Sequence, residues 1–141
     1  MKKHFTRWMI AAAALAAAAG SASAQTYNAE IPLSFHVGDK LMVPGSYKFR
    51  LSTTSSVGVI QIYNVDARTS ALMLTGVRRD APKAWREAGN PVITFECSAG
   101  DCAPSGLWTG ADPFAYALPG LKLRRGEPRA EVVTVRLAKA D

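Results

Sequence analysis

The sequence is short of the residues from which most enzyme sites are assembled. It holds two cysteines and two histidines among 141 residues. His4 falls in an N-terminal leader-like stretch, so His36 is the only imidazole downstream, and a hydrolytic triad or a zinc site would have to be built around it. Asp and Glu are scattered singly, so nothing selects the facing carboxylate pair that glycoside hydrolysis requires. There is no phosphate-cradling glycine loop, no Cys-x-x-Cys and no repeat of fixed period. No long apolar run follows residue 24, which excludes a helical membrane span in the rest of the chain.

What is present is apolar enough to fold. Hydrophobic residues make up 48% against 20% charged, which excludes a disordered polymer and leaves one ordinary domain. Residues 1–24 divide into a basic start (Lys2, Lys3, Arg7), an apolar run from Met9 to Ala19, and a small-residue end at Ala22-Ser23-Ala24. That is the pattern of a secretory signal, with cleavage expected between Ala24 and Gln25. No Cys follows the run, which closes the lipoprotein route. The expected mature domain, residues 25–141, carries 14 basic and 11 acidic residues. Much of the whole-chain basicity (pI ≈ 9.6) therefore lies in the leader, and nucleic acid is not an expected partner.

Cys97 and Cys102 are separated by four flexible or polar residues. In an oxidising compartment such an isolated pair is expected to be a disulfide, a local clip instead of a redox or metal pair.

Hydrophobic alternation then predicts strands. Ile31, Leu33, Phe35 and Val37 share one face, with Pro32, Ser34 and His36 on the other; Tyr47, Phe49 and Leu51 alternate with Lys48, Arg50 and Ser52. Turns are expected at Gly38-Asp39-Lys40 and Pro44-Gly45. Val57–Tyr63 and Ala71–Val77 read as a hairpin about Asn64-Val65-Asp66, while Val92–Cys97 and Val132–Leu137 read as later strands. The segment from Asp80 to Gly89 predicts one helical turn, with Asp80 as N-cap and Gly89 as stop. Ala103–Arg129 reads as loop with short strands at Leu107-Trp108 and Ala115–Leu118. The expected fold is all-β, an antiparallel sandwich or small barrel of about seven strands. Polar outward positions Lys48, Arg50, Gln61 and Arg136 argue against an outer-membrane barrel.

The stretch Phe35-His-Val37-Gly38-Asp-Lys40, followed by Val43-Pro44-Gly45-Ser-Tyr47, resembles the opening of a family of small exported bacterial proteins with a Phe-x-Val-Gly-x-Lys strand and a Leu-Pro-Ala-Gly-x-Tyr turn. Asn64-x-Asp66, Phe95 before Gly100-Asp101, and Leu118-Pro119 follow in the order of that family. The resemblance implies a secreted β-fold and no particular activity. The sequence departs from it in Val43-Pro44-Gly45, where the Pro moves next to the Gly, and in Ala67, where a Gly is usual. A Pro-Gly-x-Tyr turn is also similar to that of transthyretin-like and Ig-like sandwiches, the alternative fold.

No catalytic, cofactor-binding or metal-binding residues are expected, and strand alternation turns His36 outward as an idle side chain. Trp85, Trp108, Phe114 and Tyr116 are candidate ligand contacts, with the plainer reading that they plug the core. Arg78, Arg79, Arg124, Arg125 and Arg129 would form an anionic-surface patch only if distant segments meet. The expectation is a noncatalytic periplasmic or secreted β-domain acting by interaction in the cell envelope, against the alternative of a small periplasmic enzyme.

Overall fold

The computed structural model describes residues 24–54 and 57–140. The expected signal segment, apart from Ala24, lies outside the described residues. Alternation of large apolar and polar side chains governs nearly every segment, and the result is an all-β sandwich of two five-stranded antiparallel sheets with a two-stranded ribbon; none closes into a barrel.

The first sheet contains β1 (Ala24–Ile31), β4 (Gly45–Thr54), β5 (Val57–Asn64), β6 (Thr69–Leu74) and β12 (Ala138–Lys139), in the order β12-β1-β4-β5-β6. The second contains β7 (Arg78–Asp80), β8 (Val92–Ser98), β9 (Asp101–Trp108), β10 (Phe114–Ala117) and β11 (Glu131–Arg136), in the order β11-β8-β9-β10-β7. The ribbon pairs β2 (Phe35–Val37) with β3 (Lys40–Met42).

The core lies between the sheets. Tyr27, Ile31, Tyr47, Phe49, Ile60 and Ile62 from the first meet Ile93, Phe95 and Leu107 from the second. The ribbon inserts Phe35 and Met42 into the same core, and the Phe35 ring packs 5.3 Å from Tyr47 and 5.0 Å from Phe95. Both lateral edges are stitched by chain that changes sheets. Leu137 is buried at the corner between β11 and β12 and donates its N–H to Pro91 O. On the other side, Gly76 N–H donates to Ala117 O after β6 has left the first sheet.

A smaller cluster forms on the outer face of the second sheet. Ala81, Val92, Trp108 and Ala115 are buried there beneath α1 (Lys83–Ala88), which contributes Trp85. Gly106 keeps this face open beside Trp85: a Cβ there would meet Thr94 Oγ1 at 2.9 Å.

Several local expectations change. The strand expected over 31–37 is broken, because Pro32 has no N–H to continue the β1 ladder, and pairing resumes at Phe35. The expected turn at Gly38-Asp39-Lys40 ends inside β3, since Lys40 pairs with Val37. Asp80 belongs to β7 and not to the helix cap, whose position Pro82 takes with no side-chain cap bond; Gly89 ends the helix with a left-handed φ of 75° as expected. The described residues form twelve strands against an expected seven. The excess comes from β1, which is not expected ahead of Ile31, and from the short β3, β7 and β12; β9 is expected only at Leu107-Trp108, because the Pro and Gly content of Ala103–Arg129 conceals its extent.

Candidate functional site

The four aromatics nominated from sequence are divided between two faces. Trp85 and Trp108 lie with the outer cluster of the second sheet, and the Trp108 indole N–H donates to Asp112 O at 2.6 Å. Tyr116 packs against the main core. Phe114, two residues earlier on β10, shares its face but is 43% exposed, with the Arg78 guanidinium 5.8 Å from its ring centroid. Strand alternation also sends Arg78 and Arg79 to opposite faces of β7, so the two do not form one patch. The disulfide joins Cys97 to Cys102 across directly paired positions of the β8–β9 hairpin, with Cα atoms 4.1 Å apart.

A different set of polar side chains does converge. Because Tyr47, Phe49 and Leu51 fill the core, Lys48 and Arg50 must project from the outer face of β4. The ladders place Asn28 and Tyr63 on either side of Lys48, and Thr26 and Gln61 on either side of Arg50. Thr26, Lys48, Arg50, Gln61 and Tyr63 line a shallow trough of about 260 Å³. Among the described residues the one ion pair is Lys83–Glu87 at 3.7 Å, so neither trough cation is held by a carboxylate. Glu30, on the same face of β1, accepts from the Ser46 hydroxyl. The arrangement offers two positive charges, an aromatic ring, a carboxamide and a hydroxyl on one rigid surface.

A second concavity, of about 490 Å³, opens where the ribbon meets the end of the sandwich; His36, Asp39, Leu72, Met73, Leu121 and Lys122 contribute to it. His36 turns away from the core as expected, but it is half-buried, not fully exposed, because its ring lines this groove. No Ser, Thr or Cys lines the groove among the described residues.

The turn residues around Val43–Tyr47 and Asn64–Ala67 form a hydrogen-bonded knot. Asn64 is fully buried; its Nδ2 donates to Val43 O at 3.2 Å, and its Oδ1 accepts the N–H groups of Asp66 and Ala67, each at 2.9 Å. The Asp66 carboxylate accepts Ser46 N–H at 3.0 Å, and the Tyr47 hydroxyl donates to Val43 O. Gly45 has φ 154° and sits against this knot, where a Cβ would meet Asp66 Oδ2 at 2.8 Å. Ala67 is accommodated in this turn because the positive φ falls on Arg68.

Comparison of the chain with protein-family models, curated proteins and solved structures finds no match. Of the trough residues, Lys48, Arg50 and Gln61 are readable from alternation as outward-facing. Tyr63 follows from the same alternation on β5, and the signal that would have found it is its parity with Gln61. Nothing local indicates that Thr26 stands beside Arg50, because that contact exists only once β1 pairs with β4.

Proposed function

We propose that this chain is an exported, noncatalytic interaction domain that holds an acidic polysaccharide of the cell envelope on the outer face of its first sheet. The observation that carries the reading is the placement of Lys48 and Arg50 side by side between Tyr63, Gln61 and Thr26. Residues two apart on a strand are separated by roughly 7 Å, a spacing suited to successive carboxylates of a sugar polymer. Arg50 offers the two-pronged donor geometry that matches a carboxylate, and Lys48 offers a point charge. Tyr63 supplies apolar ring surface for sugar C–H groups, while Gln61 and Thr26 supply hydroxyl partners. The disulfide and the N-terminal leader pattern support an exported location.

The test is calorimetric titration with polygalacturonate as the acidic probe and dextran as the neutral one. Binding of polygalacturonate alone, weakened by added salt and lost in the Lys48→Gln, Arg50→Gln double variant, is the expected result. Equal binding by the double variant, or none by the unaltered protein, overturns the reading.

A further inference from the structure

The strand at one edge of the first sheet carries no charged residue of its own against pairing with another chain. Among the described residues β6, Thr69–Leu74, has a hydrogen-bonded strand on one side only, and the ribbon approaches it through β2 and Lys40. Exposed sheet edges are ordinarily guarded by charge. β7 carries Arg78, Arg79 and Asp80, β11 carries Glu131 and Arg136, and β12 carries Lys139, whereas β6 contains no charged residue. Its outward side chains Leu72 and Leu74 are 67% and 63% exposed.

The direction of its main-chain groups is determined by the ladder. Thr75 N–H donates to Gly58 O, and bonds alternate along an antiparallel pair, so Thr69, Ala71 and Met73 address β5. Ser70, Leu72 and Leu74 therefore turn their N–H and C=O groups to the free side. The contact made there agrees: Lys40 Nζ donates to Ser70 O at 2.6 Å.

We infer that β6 is a self-association edge, and that its occupant is β6 of a second copy of this chain. Three same-parity residues with free main-chain groups form a self-complementary set. An antiparallel pairing about Leu72 sets Leu72 opposite Leu72 of the second copy, and Ser70 opposite its Leu74, with about six main-chain hydrogen bonds. The absence of charge means that no like charges meet across the axis. Leu72 gains its counterpart as a directly opposite apolar neighbour, and Leu74, opposite Ser70, lies diagonal to that Leu72. Lys40 acts as a removable guard, since Ser70 O must exchange the ammonium for a main-chain N–H. The two-fold axis runs perpendicular to the sheet, so both outer faces, each with its Lys48 and Arg50, lie on one side of a ten-stranded sheet. The two β4 strands then stand roughly 24 Å apart, five strand spacings. The inference does not rest on the polysaccharide reading, and the two can fail separately.

Sedimentation velocity on the unaltered protein, from about 1 to 500 µM, tests it. A reversible dimer is expected, with Leu72→Lys weakening it by about tenfold or more because two lysines then face each other, and Leu74→Lys weakening it as well. Lys40→Ala should tighten it. The native cysteines are paired, so Leu72→Cys provides a single thiol per chain. A short bis-maleimide, which alkylates one thiol on each copy and leaves the native disulfide intact, should cross-link that variant, while Val132→Cys on the other sheet's edge should stay monomeric. A monomer throughout in both the unaltered protein and Lys40→Ala overturns the inference. So does association that survives both lysine substitutions, or cross-linking through Val132→Cys in preference to Leu72→Cys.

Discussion

The carboxamide of Asn64 donates to the carbonyl of Val43, 21 residues earlier in the chain, from a position fully shielded from solvent. This bond ties the end of β5 to the turn before β4, and the same side chain accepts two N–H groups from the β5–β6 turn. Asn64→Ala would leave Asp66 N–H, Ala67 N–H and part of the demand at Val43 O unmet. The expected loss is about 2 to 3 kcal/mol, since the buried carboxamide makes three hydrogen bonds worth roughly 1 kcal/mol each. Urea denaturation of the variant measures it. A loss below about 1 kcal/mol would mean that water replaces the carboxamide without penalty.

Phe35 and His36 are neighbours with opposite fates. Phe35→Ala removes a fully buried ring packed on Tyr47 and Phe95, and should cost about 3 to 5 kcal/mol. His36→Ala, at the groove wall, should change stability by less than about 1 kcal/mol. Parallel denaturant titrations compare them, and equal losses would contradict the assignment of strand faces.

The Cys97–Cys102 bond closes a small ring within a hairpin that is already paired. Replacing both residues by Ser should leave a folded protein that is less stable by about 2 kcal/mol, the chain-entropy value for a six-residue ring. Thiol counting on unreduced protein should find none free. Loss of folding on reduction would show that the bond acts before the β8–β9 ladder forms.

Stability should fall in strong alkali through two buried phenols. Burial pushes the Tyr27 and Tyr47 hydroxyls above their ordinary value of 10.0. In the unfolded chain these groups ionise near that ordinary value, so above it the unfolded state loses protons that the folded state retains. Their contribution is therefore complete below pH 10.0 and is lost as the pH rises from there through the raised folded-state values. Urea midpoints measured between about pH 8 and pH 11 should show the decline, and Tyr27→Phe with Tyr47→Phe should flatten it.

Export makes a further prediction. If residues 1–24 are removed as a secretory signal, the exported protein begins at Gln25, which pairs with Leu51 in β1. Intact mass measurement decides this, and a retained Met1 would contradict both the location and the charge balance of the mature chain.

The all-β character, the facing of β4 and β5, the stop at Gly89 and the cysteine pair were readable from sequence. Each depends on an interaction of short range: period-two alternation, a single left-handed φ, or a loop of a few residues. Alternation at Tyr47, Phe49 and Leu51 thus determined that Lys48 and Arg50 face outward. It carried no information about which strands flank them, because pairing β1 with β4 is a choice among distant segments, made by the burial of a common core. Only the tertiary structure decided that Thr26 and Tyr63 join these cations, that the two Trp residues lie across a sheet from Tyr116, and that β6, with no charged residue of its own, ends its sheet. It likewise decided where the chain changes sheets, at Leu137, since the same alternating strand is compatible with either sheet until both are present to bury it.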